Sequence, residues 1–468
     1  MAGREQCTRQ RRQVFGGHAA ILSGTSAGRR AGSLILARMK PDLTERLLRG
    51  LYSLALYALL PVTIYHLVWR GFRHPAYLSR WNERYARYGD APACQPGDED
   101  TLWVHAVSVG EVAAAAALVD ALLEKYPQRR LLVTSITPTG SERIRALWGD
   151  RVEHVYLPYD LPGAVGRFLA RYRPARALIM ETELWPNLLF GCRDRGIAVD
   201  IINARLSARS LGGYRLLAPL VARALATVSH VCAQTEADAQ RFVQLGAPRA
   251  RLRVTGNIKY DVADLPADDP LPAAFRHAVG RRMAWIAAST HPEEELPVLL
   301  AHQRLRRRWP DLLLLWAPRH PERFHAVQSL VRSAGLRSAS RSRNGLPDTQ
   351  DAVLVIDTLG ELPRFFPLAD AAFVGGSLQD IGGHNLLEPA VAAVPILAGP
   401  HLHNFAEIAA SLAAAGALQI IDDADSLAPS LARVLESPEA AMRMGRAGRE
   451  LVESGRGALA RTLAAIGL

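Results

Sequence analysis

Short apolar runs, each ending in a small or polar residue and followed by a helical pattern, recur along this chain, and that rhythm leaves few folds open. The first series is Leu102–Val107, Leu131–Ser135, His154–Leu157, Ala177–Met180, Ala198–Ile202 and His230–Ala233. A second follows at Ala284–Ala288, Leu312–Ala317, Ala352–Ile356, Ala371–Val374 and Pro395–Ala398. Runs this short and this apolar read as strands buried on both faces, and the helical stretches between them as crossovers. The expected class is therefore α/β, with doubly wound parallel sheets. Between the series, Asp261-Val262-Ala263-Asp264-Leu265-Pro266-Ala267-Asp268-Asp269-Pro270 is acidic, contains prolines and lacks a period, as a linker does. At 468 residues the chain exceeds what one hydrophobic core serves. Two Rossmann-like domains facing a cleft are expected, at residues 91–260 and 276–468, joined by a linker at 261–275. Clefts between domains are where ligands collect.

The region before residue 100 has a different character. Residues 1–38 are rich in Arg, Gly, Ser and Ala without a hydrophobic period, so residues 1–44 read as a basic, disordered extension. Met39 opens more regular sequence and is a candidate start. Gly50 to Trp69 carries no formal charge and just reaches the roughly 20 residues a membrane span needs. Pro61 interrupts it and His66 weakens it. Arg46, Arg49, Arg70 and Arg73 flank it, and Tyr77, Arg80, Trp81, Arg84, Tyr85, Arg87 and Tyr88 follow, a mixture suited to lipid headgroups. Residues 45–90 are therefore expected to be a membrane-anchoring helix plus a basic aromatic segment, either spanning the bilayer or lying in its interface. The alternative is a buried helix packed on the body. No small-residue cleavage site follows the apolar run, so a cleaved signal peptide is disfavoured.

Composition narrows the function without choosing it. The net charge of +11, mostly arginine, fits nucleic acid, anionic lipid or a phosphorylated substrate. Cys7, Cys94, Cys192 and Cys232 lack CxxC spacing and neighbouring histidine pairs, so neither a zinc site nor a disulfide framework is readable. No GxxxxGK[ST] loop is present, which argues against a P-loop triphosphatase.

Chemistry-bearing residues stand at the strand ends. His105-Ala106-Val107-Ser108-Val109-Gly110-Glu111 reads as strand, turn and helix start with one carboxylate at the junction. Glu111 stands where a general base works in an α/β sheet, or it complements the positive end of its helix. Glu181 and Glu183 follow the strand Ala177–Met180. Glu181 could position a donor or meet developing charge, whereas Glu183 reads as a turn or helix-start residue. In the second series, Ser289-Thr290-His291-Pro292-Glu293-Glu294-Glu295 reads as an ordinary helix cap. Arg319 emerges from the strand Leu312–Trp316 and could grip phosphate through forked hydrogen bonds. Gly375-Gly376-Ser377 and Gly382-Gly383-His384-Asn385 could turn backbone N–H groups toward an anion, and Glu388 could accept hydrogen bonds from ribose hydroxyls.

The chain resembles the 3-deoxy-D-manno-oct-2-ulosonic acid (Kdo) transferases of lipopolysaccharide assembly. The shared segments are His105-Ala-Val-Ser-Val-Gly-Glu111, Thr137-Pro-Thr-Gly-Ser-Glu-Arg143, Tyr156-Leu-Pro-Tyr-Asp-Leu-Pro162 and Met180-Glu-Thr-Glu-Leu-Trp-Pro-Asn187. They continue in Asn203-Ala-Arg-Leu-Ser-Ala-Arg-Ser210, Val254-Thr-Gly-Asn-Ile-Lys259, Pro318-Arg-His-Pro-Glu-Arg-Phe324 and Gly382-Gly-His-Asn-Leu-Leu-Glu388. The resemblance runs from about residue 45 to the C-terminus. Pro389 departs from the alanine of some members.

That resemblance implies a GT-B, inverting glycosyltransferase moving Kdo from CMP-Kdo to the lipid A precursor, lipid IVA, with release of CMP. By resemblance Glu111 deprotonates the attacking hydroxyl and Glu181 is a further essential acid. Lys259 and Arg319 are assigned to the phosphate, with no metal and no other cofactor. CMP is expected on Pro318 and Arg319, on Leu359, Gly360 and Glu361, and on Asn385, Leu386, Leu387 and Glu388. Arg205 and Arg209 either meet lipid A phosphates or are solvated. The implied location is the cytoplasmic face of a Gram-negative inner membrane, with no nucleic-acid partner. A GT-B enzyme for another nucleotide sugar would share the fold and Glu388 but not the Ser-Val-Gly-Glu or Met-Glu-Thr-Glu-Leu-Trp segments. A basic membrane- or nucleic-acid-binding protein would explain the charge but leave the strand-end carboxylates idle.

Overall fold

The computed structural model describes residues 41–73, 75–89, 101–266 and 268–468. The expected disordered extension (apart from its last residues), the candidate start Met39, and Cys7 and Cys94 lie outside these.

The described residues form two compact units, one running up to Ile258 and joined by Gly457–Leu468, the other Lys259–Arg456. In the first, β1 (Leu102–His105), β2 (Leu131–Ser135), β3 (Glu153–Tyr156), β4 (Arg176–Met180), β5 (Ala198–Ala204), β6 (His230–Ala233) and β7 (Leu252–Val254) make one sheet in the order β3-β2-β1-β4-β5-β6-β7. All its pairings are parallel. The order reverses between β1 and β4. Loops leaving neighbouring strands in opposite directions open a crevice at such a point, so this is where a site is expected. Alternation along β1 divides the core: Trp103 packs with Phe168, Ile179 and Leu188 on one face, and Leu102 and Val104 with Val112, Leu118 and Val119 on the other.

In the second unit, β8 (Ala284–Thr290), β9 (Leu313–Pro318), β10 (Ser338–Ser340), β11 (Val353–Val355), β12 (Ala371–Val374), β13 (Ile396–Ala398) and β14 (Leu418–Ile420) form a parallel sheet in the order β10-β11-β9-β8-β12-β13-β14. Its reversal lies between β8 and β12. The expected second domain ran to residue 468, but the last helix, Ala458–Ile466, belongs to the first unit. Its Ile466, with Leu468, is buried against Leu102 and Val104, and Thr462 hydrogen-bonds Thr255 at 3.0 Å. Residues 271–275, the end of the expected linker, already belong to the helix Leu271–Val279.

The apolar stretch near the N-terminus forms two helices, α1 (Leu43–Ala58) and α2 (Leu60–Arg73), bent by 45°. The break falls just before Pro61, whose ring and missing N–H oppose a continuous helix. No single helix among the described residues is long and apolar enough to cross a membrane; this bent pair passes that test of length and composition. The polar face of α1 is fastened to the body. Glu45 forms a buried, two-pronged ion pair with Arg193 (2.7 and 2.8 Å). Arg49 reaches Asp194 at 2.8 Å, and Tyr52 donates to Asp160 at 3.1 Å. Leu43, Leu47, Leu51 and Leu54 are exposed on the same helix, and α2 adds Val62, Tyr65, Trp69 and Phe72.

Candidate active site

Glu111 sits at the reversal of the first sheet because Ser108 starts a helix directly after β1. Ser108 is the N-cap of α3 (Val109–Lys125), and its hydroxyl accepts from the Glu111 N–H at 3.4 Å. The carboxylate folds back to accept from Val107 N–H at 2.8 Å and from the Ser108 hydroxyl at 3.3 Å. Glu111 thus folds back on the start of its own helix and also stands at the strand end. Burial raises its pKa from 4.5 to about 8, opposed by the Val107 N–H and reinforced by the charges of Glu181 and Glu183. A carboxylate tuned so close to neutrality is suited to proton transfer.

Glu181 and Glu183 leave β4, the strand across the reversal from β1. Glu181 adopts a left-handed backbone (φ 56°), rare outside glycine, while its N–H donates to Ile202 at 3.0 Å. Such conformations persist where the surroundings impose them and cluster at functional sites. Glu183 lies in the connection before the helix Pro186–Arg193, as expected of a turn or helix-start residue. Its carboxylate accepts from the Trp185 indole at 2.7 Å, and burial, then Glu181, raises its pKa. Glu183 belongs electrostatically with Glu111. The signal available in the sequence was the Glu-x-Glu spacing, which cannot distinguish a carboxylate turned inward from one turned outward.

Lys259 lies half-buried in the turn Ile258–Tyr260 that begins the second unit. The Ile258 N–H is held by the side chain of Asn203 at 3.0 Å, which has its own left-handed backbone.

In the second unit, Pro318 ends β9 and Arg319 is exposed beyond it, with its N–H donating to Thr290 at 3.0 Å. Asn385 donates to Glu388 at 3.0 Å and accepts from Leu387 N–H at 3.1 Å. Burial raises the Glu388 pKa, against the pull of Asn385 and the Arg319 charge. Leu386 and Leu387 point into the core, so only their backbone can serve a ligand. Gly360 takes φ 82° beside an exposed Leu359, a conformation glycine supplies without strain. The Glu361 carboxylate is already engaged by Arg341 (2.8 and 3.0 Å), Thr358 (2.7 Å) and Arg364 (3.1 Å), which hold its pKa down at about 2, Arg341 foremost. It braces the loop around Gly360.

One expectation is corrected. The N–H groups of the Gly375-Gly376-Ser377 turn do not await an external anion. Glu294 fills the turn, accepting from Gly376 at 2.7 Å and from Ser377 and Leu378 at 3.0 Å each, while also accepting from His291 N–H at 3.0 Å in the capping box of helix Pro292–Arg306. The segment is a helix cap as expected, but its N-cap residue is His291 rather than Ser289 or Thr290, which end β8, and Glu294 of the cap doubles as an internal anion. Among the described residues no group of three or more His, Cys, Asp or Glu is arranged to hold a metal.

The family profile described as 3-deoxy-D-manno-octulosonic-acid transferase (kdotransferase) matches residues 79–262. A 3-deoxy-D-manno-octulosonic acid transferase of Haemophilus influenzae is 40% identical over 89% of this chain and 97% of its own length. Its counterpart from Bordetella pertussis is 38% identical over 89% and 98%. Among solved structures, the C-terminal CMP-Kdo binding domain of WaaA from Acinetobacter baumannii is 31% identical, covering 39% of this chain and 96% of that one, with a TM-score of 0.38. With relatives matched across nearly their whole length, the chain belongs to the 3-deoxy-D-manno-octulosonic acid transferase family.

Proposed function

We propose that this protein transfers Kdo from CMP-Kdo to a sugar hydroxyl of the lipid A precursor, with inversion and release of CMP. The observation that carries the reading is the carboxylate group at the reversal of the first sheet, where burial brings Glu111 to about pH 8. Deprotonated Glu111 takes the proton of the attacking hydroxyl, whose oxygen forms the new bond at the anomeric carbon. The bond from that carbon to the phosphate oxygen breaks, and its electron pair leaves with CMP. Arg319 and Lys259 are the fixed cations assigned to the phosphate, and Asn385 and Glu388 the groups assigned to the ribose. Glu181 is assigned to the charge that develops on the sugar.

The lipid acceptor explains α1 and α2. Because the polar face of α1 is fastened to the body, its leucines and the aromatic residues of α2 are left to enter the headgroup region, and Arg70 and Arg73 meet anionic lipid. This is anchoring in the interface of the inner membrane, from its cytoplasmic side.

The test is mass spectrometry of the product from lipid IVA and CMP-Kdo generated in situ, with and without chelator. Added Kdo mass is expected in both, and Glu111→Ala is expected to abolish it while CMP still binds. Activity of Glu111→Ala near that of the wild type would remove the base assignment.

A further inference from the structure

The reversal of the second sheet carries an imidazole pair to which no role has been given. His291 follows β8 and His384 follows β12, the two strands on either side of the reversal. Their Nε2 atoms are 2.9 Å apart, with ring planes within 3° and centroids 5.1 Å apart, so the nitrogens meet nearly in the ring plane. Two facing imidazole nitrogens hold this distance only with a proton between them. Gly376 makes room for the pair: a Cβ there would stand 2.9 Å from the His384 ring. His320 lies edge-on to His291 at 5.2 Å, and the Arg319 charge acts on both paired rings.

We propose that His291 and His384 share one proton in the resting enzyme and take up a second when the phosphate of CMP seats beside Arg319, becoming a cation that stabilises the leaving group. The inference rests on the second unit being the nucleotide site. Its chemical basis is the charge change of the reaction. In the sugar donor the phosphate is a diester with one negative charge. When the anomeric C–O bond breaks, the electron pair stays on the phosphate oxygen and the charge becomes two. A group that gains its proton in step with that second charge favours the departing CMP over the bound donor, the differential that accelerates a reaction.

The surroundings fit such a device. Burial, aided by Arg319 and the other imidazoles, holds both pKa values below the ordinary 6.5, to about 3 for His384, so the empty pair carries no net charge near neutrality. From the helix after β8, Glu293 and Glu294 act in the opposite sense on His291. Arg319 and His320 face the pair from the loop after β9. Glu388 lies on the helix that follows His384, and Asp380, His401 and His403 lie around Gly382. An incoming dianion adds to the acids and offsets Arg319, which raises imidazole pKa values.

The experiment is calorimetric titration of the full-length protein in detergent with CMP at pH 7.5, in two buffers of different ionisation enthalpy. At that pH CMP is already a dianion, so the ligand can only release protons; net uptake must come from the protein. Uptake approaching on the order of one proton per CMP is expected, and less with cytidine 5′-methylphosphate, which keeps a single charge. In His384→Asn and in His291→Asn, CMP is expected to bind about tenfold more weakly and without that uptake. Glu388 is another group a dianion would protonate, so uptake persisting in both variants would overturn the proposal, as would binding to the wild type without uptake. Absence of any CMP binding by the wild type would instead remove the nucleotide reading, and this proposal with it.

Discussion

Replacing Glu111 by glutamine should abolish transfer and yet stabilise the protein, by an amount that depends on pH. The unfolded chain ionises Glu111 at its ordinary 4.5, and the folded one at about 8. Below pH 4.5 both states hold the proton and the residue contributes no pH dependence. Between these values only the folded state holds it, so raising the pH lowers stability by about 1.4 kcal/mol per pH unit. Above pH 8 both states are ionised and the penalty stays constant, on the order of 5 kcal/mol as an upper limit. Glutamine does not titrate and keeps its carbonyl for Val107 N–H. In urea unfolding followed by tryptophan fluorescence, Glu111→Gln should match the wild type near pH 5 and exceed it by several kcal/mol at pH 8.5. Activity of the wild type should rise with pH through about 8 as the carboxylate loses its proton, with about a tenth of the plateau left at pH 7. Equal stability of the two proteins at pH 5 and at pH 8.5 would refute the argument, because it would mean that folding does not perturb this carboxyl.

Three other outcomes are expected. Glu183→Gln removes a neighbouring charge, so the rising limb of the rate profile should move to lower pH, by about half a unit to one unit; an unmoved midpoint would separate Glu183 from the site. Leu47→Glu combined with Leu54→Glu, both on the exposed face of α1, should reduce co-sedimentation with phosphatidylglycerol vesicles at least about tenfold while leaving CMP binding intact. Unchanged co-sedimentation would end the interfacial reading of that face. Glu294→Ala strips the acceptor from four backbone N–H groups and should destabilise the second unit by more than about 3 kcal/mol, read as a lower urea midpoint and as faster hydrogen exchange at Gly376, Ser377 and Leu378.

The two parallel sheets were legible because most of their strands are short, uniformly apolar runs; β2, β6 and β12 occur with the expected bounds. The strands missed are β7, β10 and β14, each three residues long and at or beside a sheet edge. Ser338-Ala339-Ser340 has no apolar period, and only pairing with Val353–Val355 makes it a strand. At the candidate sites the sequence showed which residues stand at strand ends, since that depends on local order. It could not show which side chains meet. His291 and His384 are 93 positions apart. Glu294 was read as a local cap, and its second set of hydrogen bonds, to a turn 82 to 84 positions away, depends on β8 and β12 being neighbours. Orientation was equally hidden in α1, where the sequence shows an apolar stretch but not that its few polar residues face inward.

The two sheet reversals divide the electrostatic work in opposite ways. At the first, Glu181 and Glu183 both discourage the ionisation of Glu111, Glu181 also discourages that of Glu183, and the donors close to Glu111 are too few to offset burial. Such a site holds protons and releases one only as the pH rises, which suits a base that must take up a proton from a sugar hydroxyl and then be regenerated. At the second, the backbone N–H groups of the Gly375-Gly376-Ser377 turn are occupied by Glu294, so on the proposed reading that turn does not meet the phosphate. A turn with free N–H groups would bind a singly and a doubly charged phosphate with fixed partial charges. Arg319 likewise carries a fixed charge. Only groups that titrate can answer the second charge as it forms, and at this reversal those are the paired imidazoles and the buried Glu388.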